Sequence, residues 1–133
     1  MALHPHGGLI RPPGKTPVWF ATCIRIMPLG VLMQFLLAGF GLFEDAGFEM
    51  HVVVGAALGV PAFAIFAGAV LVARLRPLAW WAGSLVASYL VQVALAAGGD
   101  PSLLAYHPFN GALVLVASVV LFAEVEHGKA SLD

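Results

Sequence analysis

Two histidines are the residues of this chain with the clearest capacity for chemistry. His51 and His107 each precede a glycine by four residues, Gly55 and Gly111, and each begins a long apolar stretch without charged residues. A neutral imidazole offers a nitrogen lone pair to a metal ion. Because a polar side chain at membrane depth is costly and usually functional, the pair is the first candidate for a binding site.

The composition places these histidines in a membrane protein. Of the 133 residues, 61% are hydrophobic and 10% are charged, and the mean hydropathy is +0.96. Soluble domains contain about half apolar and about a quarter charged residues. At about 20 apolar residues per crossing, the length accommodates four helices and no separate soluble domain. We therefore predict an all-α membrane protein, a four-transmembrane-helix up-down-up-down bundle in contact with the lipid bilayer.

Several classes of function are disfavoured by the sequence. The net charge of −1 and the lack of a basic cluster argue against nucleic acid as a partner. Cys23 is the single cysteine, so we expect a small packing residue and no disulfide framework. No nucleophile–base arrangement or phosphate-binding loop indicates a hydrolase or a nucleotide-dependent enzyme. Whether the protein is an enzyme stays open.

Breaks in the apolar pattern divide the chain into predicted spans and tails. One transmembrane domain over residues 17–123 lies between a disordered tail, 1–16, and a polar tail, 124–133. The predicted helices cover about 18–43, 50–73, 78–97 and 101–123. Pro61 predicts a kink in the second helix, since proline leaves a carbonyl without its partner.

The fourth span has two possible starts. A helix from Pro108 to Ala123 would be about 24 Å long, short of the roughly 30 Å hydrocarbon core. We therefore expect the helix to begin near Pro101, with Asp100 as its N-cap, and to bend at Pro108. That start places His107 more than one turn inside the helix.

Basic residues predict the orientation. Five of them lie in the two tails and the middle turn: Arg11, Lys15, Arg74, Arg76 and Lys129. The other two turns contain no lysine or arginine. The positive-inside rule then predicts cytoplasmic termini and places both histidines toward the outer face of the inner membrane. Arg25 lies within the first span near its tail side, so we expect its side chain to reach the cytoplasmic interface.

The two halves of the chain resemble each other. Residues 31–41 align with 89–99 and share a leucine, a glutamine, a second leucine, an alanine and a glycine at equivalent positions. Gln34 and Gln92, together with the histidines that follow them, carry most of this similarity. We infer a duplicated helical hairpin, its copies related by an axis along the membrane normal. For the glutamines we favour interhelical hydrogen bonds over a substrate role.

The geometry of such a bundle suggests a haem. Spans 2 and 4 would lie on a diagonal of roughly 12–14 Å, and two inward histidines that share a metal span roughly 12 Å. This is the axial arrangement of a six-coordinate b-type haem, with Gly55 and Gly111 clearing room for the flat ring. Asn110 and Tyr106 could orient the second nitrogen of His107, or make helix-end hydrogen bonds. A zinc ion would need more ligands, which only the outer turns offer: Glu44, Asp45, Glu49 and Asp100.

These motifs resemble those of a known family. The runs QFLLAG (34–39), HVVVG (51–55) and HPFNG (107–111) are similar to a family of small four-span bacterial membrane proteins of unknown function, over about residues 29–122. The paired histidines also resemble, more distantly, transmembrane b-type cytochromes. Those commonly hold two histidine pairs and two haems, whereas this chain has one pair.

The leading hypothesis is an electron-transfer protein with one b-type haem between His51 and His107, whose partner is a quinol or a redox protein. The alternative is a cofactor-free structural or accessory subunit of a homo- or hetero-oligomer, in which the histidines are polar interface groups. Transport comes third, because four short helices without a charge at the midplane offer little coupling machinery.

Overall fold

The structure, a computed structural model, describes residues 16–44 and 47–130, with side chains as far as His127. Its helices are α1 Val18–Phe43, α2 Glu49–Ala57, α3 Gly59–Leu71, α4 Ala79–Ala97, α5 Pro101–Leu104 and α6 His107–Ala130, with a 3-10 turn over Ala73–Leu78. They form four spans long and apolar enough to cross a membrane. The predicted all-α, four-span membrane fold is confirmed. Three parts of the predictions lie outside the described residues: the N-terminal tail up to Lys15, Asp45 in the first turn, and residues 131–133.

The first two spans follow the sequence closely. Helix α1 covers the predicted residues, Val18–Phe43. The second span is divided at Leu58, between α2 and α3. Pro61 follows three residues later. It has no N–H to donate to the Ala57 carbonyl, and its ring crowds that carbonyl. The expected kink is therefore present. The third span begins with the 3-10 turn, which contains Pro77, and α4 starts at Ala79.

The fourth span begins differently from the prediction. Asp100 accepts a hydrogen bond from the Ser102 N–H at 2.8 Å, so it is the expected N-cap. The Ser102 hydroxyl and N–H bonds also hold the pKa of the Asp100 carboxyl below its usual value. Helix α5 ends at Leu104, however, and α6 begins at His107. Pro108 is tolerated there because an N–H in the first turn of a helix has no partner to lose.

Two expectations for this span are therefore corrected. His107 is the first residue of α6 and not a residue more than one turn inside a helix that bends at Pro108. At the other end, α6 continues to Ala130, so most of the tail predicted from residue 124 onward is helical. The first difference comes from the break after Leu104, which allows α6 to start its own hydrogen-bond ladder.

The packing order is that of an up-down-up-down bundle. Helix α1 packs on α2, α3 and α6, and α4 packs on α3 and α6. Spans that follow each other in the chain are thus neighbours, and the fourth closes back on the first. Spans 2 and 4 lie on a diagonal, and both begin at the same end of the bundle, which we call the histidine end.

The buried core lies away from the histidine end. The largest fully buried apolar side chains come from every span and lie toward the opposite end: Phe20, Ile24, Met27, Ile65, Leu85 and Leu121. A Cβ on Gly68 of α3 would lie 2.7 Å from the Trp19 ring and 2.8 Å from the Phe20 ring, so α1 and α3 approach closely here. Small residues permit such approach between membrane helices. The bundle is therefore closed tightly at one end only.

An ion pair joins the first and last spans near the closed end. Arg25 donates to Glu126 Oε1 from Nη2 at 2.9 Å and from Nε at 3.2 Å. Both side chains keep partial exposure, 53% and 33%. The sequence placed Arg25 toward this end but did not identify Glu126, because the two residues are far apart in the chain.

The close approach at Gly68 can be tested by substitution. We expect Gly68→Ala to destabilise the protein by about 1–3 kcal/mol, because the added methyl overpacks against two aromatic rings. Thermal unfolding in detergent, followed by circular dichroism, measures the change. Gly39→Ala is the matched control, since no atom lies within 4 Å of its Cβ position and alanine favours helix. Equal melting temperatures for the two variants would contradict the packing described.

Candidate functional site

The open half of the bundle contains a largely apolar cavity of about 490 Å³. Side chains of α1, α2, α4 and α6 form its wall, together with Leu58 at the kink. Six residues singled out in the sequence all lie in that wall: His51, His107, Gly55, Gly111, Gln34 and Gln92. The tertiary structure thus brings the two copies of the motif to one place.

The imidazoles face each other across the bundle diagonal. Their ring centroids are 5.9 Å apart and the ring planes are inclined by 57°. His51 lies in the first turn of α2 and His107 begins α6, so both rings enter the cavity from the histidine end. Phe48 packs edge-on against His51, with ring centroids 6.1 Å apart.

Each histidine is held by the main chain of the preceding span. His51 Nδ1 lies 3.1 Å from the Gln34 carbonyl oxygen, and His107 Nδ1 lies 3.2 Å from the Gln92 carbonyl oxygen. A carbonyl oxygen only accepts, so in the tautomer that forms these bonds Nδ1 donates and the neutral ring keeps its lone pair on Nε2. Within residues 16–44 and 47–127, neither Nε2 has a hydrogen-bond partner. Histidines that bind metals are commonly oriented in this way.

The glutamine side chains occupy the space that the two glycines leave. A Cβ on Gly55 would lie 3.3 Å from the end of the Gln34 side chain, and one on Gly111 would lie 3.3 Å from Gln92 Nε2. The sequence suggested that these glycines clear room for a flat ring. The atoms nearest to the two Cβ positions belong instead to glutamines, which reach from α1 to α2 and from α4 to α6. The expected interhelical hydrogen bonding is present at Gln92, whose Oε1 accepts from Asn110 Nδ2. Gln34 makes such bonds to α2 when its amide oxygen lies toward the Gly55 N–H.

Asn110 and Tyr106 differ in their relation to the site. Asn110 is 6% exposed, and its Nδ2 donates to the Ser88 carbonyl oxygen at 2.8 Å and to Gln92 Oε1 at 2.7 Å. Asn110 therefore bonds to the glutamine that precedes His107 and makes no direct hydrogen bond to the imidazole ring. Tyr106 is 63% exposed and does not line the cavity.

Tyr89 is a residue of the site that the motif analysis missed. Its hydroxyl donates to the Gly55 carbonyl oxygen at 3.1 Å and lies 3.4 Å from that of Ala56, just before the kink of the second span. A Cβ on Gly59 would lie 2.7 Å from this hydroxyl, so the glycine makes room for it. A phenol in the middle of an apolar helix was the available signal, because buried hydroxyls need partners.

A metal site of the zinc type does not fit. Among the residues that the structure describes, no three His, Cys, Asp or Glu side chains come together to hold a metal ion. A structural zinc needs four protein ligands and a catalytic one usually three. The two imidazoles are fewer ligands than either kind of zinc site uses.

The hydrogen bond from the Tyr89 hydroxyl on α4 to the Gly55 carbonyl oxygen on α2, which we call the Tyr89 bridge, can be tested by substitution. We expect Tyr89→Phe to lower the free energy of unfolding by about 1 kcal/mol, because a carbonyl oxygen at the kink loses its donor. Tyr106→Phe, which removes a hydroxyl from an exposed side chain outside the cavity, should leave stability unchanged. Thermal unfolding of both variants in the same detergent makes the comparison, and equal losses would argue against the bridge.

Comparison with known proteins identifies a family similar to part of the chain. Residues 34–99 match the model of a family described as Family of unknown function (DUF6220). The match includes His51, Gly55 and both glutamines and ends before His107, so it is shorter than the resemblance inferred from the motifs. No curated protein and no solved structure matches the chain significantly. From the second half of α1 to the end of α4, the chain is thus similar to a family of unknown function.

Proposed function

We propose that this membrane protein binds one b-type haem between His51 and His107 and transfers electrons there. The arrangement of the two imidazoles is the observation that carries the proposal. A metal lies about 2 Å from an imidazole nitrogen, so two rings that share one ion have their centres roughly 6 Å apart. The observed separation is 5.9 Å. A haem in this place would be held by His51 and His107 through their Nε2 atoms.

The cavity wall supports the same proposal. Cofactor pockets measure about 300–1,000 Å³ and are mostly apolar, with a few polar groups that set orientation. The cavity here is about 490 Å³, and its few polar wall groups are the histidines, the glutamines and Tyr89. Apolar walls keep water away from a bound ring and favour its burial.

The chain's own residues would orient the ligands. The carbonyl oxygens of Gln34 and Gln92 accept from the two Nδ1–H groups, which would direct each Nε2 lone pair away from the neighbouring helix. Haem, when bound, supplies reversible one-electron chemistry. The protein contributes the ligands, their orientation and an apolar surrounding.

Access to the site favours a lipid-soluble electron donor. Val52 and Val93 both line the cavity, and they are 64% and 48% exposed on the bundle surface. A quinol in the membrane can therefore approach the cavity wall from the lipid side, and a redox protein can approach the histidine end. One site at one end does not provide a route for electrons across the whole bilayer.

One observation favours the alternative of a structural or accessory subunit. Each histidine ties its span to the preceding one through a hydrogen bond to the main chain. Such bonds contribute about 0.6–2 kcal/mol between membrane helices even without a cofactor. In that case a His51→Ala, His107→Ala double variant loses stability and the wild-type protein is colourless.

The haem proposal is tested by absorbance. Protein purified after expression with ample haem should show a Soret band and a reduced-minus-oxidised α band. His51→Ala or His107→Ala should lower haem content by about tenfold or more, as loss of a metal ligand does. His127→Ala is the control, because His127 is exposed near the closed end and bonds to Ala123 in its own helix. Colourless wild-type protein would overturn the proposal.

We further propose that the histidine end faces away from the cytoplasm. The described basic turn, with Arg74 and Arg76, lies at the closed end, and positive residues favour the cytoplasmic side. A reporter that is active only outside the cytoplasm should work when inserted after Gly99 and fail when fused after Asp133. The opposite pattern would reverse the orientation.

A further inference from the structure

The second half of the site has a fixed glutamine. Asn110 Nδ2 donates to Gln92 Oε1 at 2.7 Å and to the Ser88 carbonyl oxygen at 2.8 Å. Asn110 is buried, so this tether is shielded from competing water. Gln92 Oε1 is thereby bonded to Asn110, and His107 Nδ1 has the Gln92 main-chain carbonyl oxygen as its partner.

The first half lacks this tether. The residue three positions after His51 is Val54, where the second half has Asn110 three positions after His107. A valine side chain offers no hydrogen bond, so the Gln34 carboxamide takes partners on α2. With its oxygen toward the Gly55 N–H, it accepts from that group at 2.9 Å, and its nitrogen donates to the His51 carbonyl oxygen at 2.9 Å.

In that orientation the Gln34 amide nitrogen also lies 3.0 Å from His51 Nδ1. The same Nδ1 lies 3.1 Å from the Gln34 carbonyl oxygen. One ring nitrogen therefore has an acceptor and a donor within reach, both supplied by Gln34. These two partner atoms suit either tautomer of the neutral ring. In one, Nδ1 carries the hydrogen and Nε2 the lone pair, and in the other Nε2 carries the hydrogen and Nδ1 the lone pair.

We propose that His107 is the fixed side of the site and His51 the exchangeable side, with the Gln34 carboxamide as the positioning residue that permits the exchange. The ligand role rests on the proposed function. When Nδ1 accepts from Gln34, Nε2 carries the hydrogen and cannot bind a metal. The change moves one proton and no net charge: Nδ1 releases a proton to solvent water and Nε2 receives one.

The site so opened has a defined ligand chemistry. In its Nε2–H tautomer His51 would leave a bound haem to His107 and would offer its own Nε2–H as a hydrogen-bond donor. The ligand that would use this donor is a small neutral diatomic molecule with acceptor character, such as carbon monoxide. The site would then bind such a ligand at the His51 face and keep His107 in place.

The tautomers can be measured in the absence of haem. Nitrogen-15 spectra of histidine-labelled full-length protein in detergent should show His107 as the Nδ1–H tautomer and His51 as a mixture of both. Gln34→Leu should shift His51 toward Nδ1–H by about tenfold, the effect of one hydrogen bond of ordinary strength. Asn110→Val gives the second half the residue that the first half has at this position. His107 should then become a mixture of both tautomers, and the tautomers of His51 should not change.

The haem-loaded protein provides the second measurement. Carbon monoxide should bind the reduced wild-type protein, and Gln34→Leu should weaken that binding by about tenfold, because the released tautomer loses its donor. A single Nδ1–H tautomer at His51 that does not respond to Gln34→Leu would overturn this inference and leave the haem proposal intact. Colourless protein with the expected tautomers would overturn the haem proposal alone.

Discussion

The arrangement of the site depends on one kind of interaction, the hydrogen bond from a histidine Nδ1 to the main-chain carbonyl of a glutamine on the preceding span. A helical carbonyl oxygen has two lone pairs, so it accepts this bond and keeps its place in the helix ladder. In lipid, apolar side chains give little drive for helices to associate, and polar contacts contribute more to the choice of neighbours. Each bond therefore joins two spans and sets the direction of one imidazole.

The repeated Gln, His and Gly positions make the same contacts in both halves. In each, a glutamine side chain packs against the glycine one turn beyond the histidine, which supports the inferred duplication. The halves differ in two places. The first half has Val54 where the second has Asn110. In the first half α2 continues through a kink into α3, whereas in the second a turn separates α5 from α6. Divergence at these places gives a nearly symmetric pair of histidines unequal surroundings.

The packing of the bundle differs between its two ends. Large apolar side chains fill the end away from the histidines, whereas the histidine end keeps a cavity and half-exposed wall residues. Packing at the closed end holds the helices at a fixed separation, so the open end need not collapse. Side chains are positioned best when rigid elements carry them, and here α2 and α6, in a bundle packed tightly at its other end, carry the two histidines.

The sequence by itself determined the membrane class, the number of spans and the kink near Pro61, because hydropathy and proline chemistry act locally. It also singled out the two histidines as a candidate pair, by their spacing from a glycine. Only the tertiary structure decided which atoms meet. The rotation and depth of each helix decide four features: the start of α6, the glutamine contacts at the glycines, the Tyr89 hydrogen bond and the Arg25–Glu126 ion pair. Apolar stretches specify neither quantity, since rotation and tilt are set by packing against neighbouring helices.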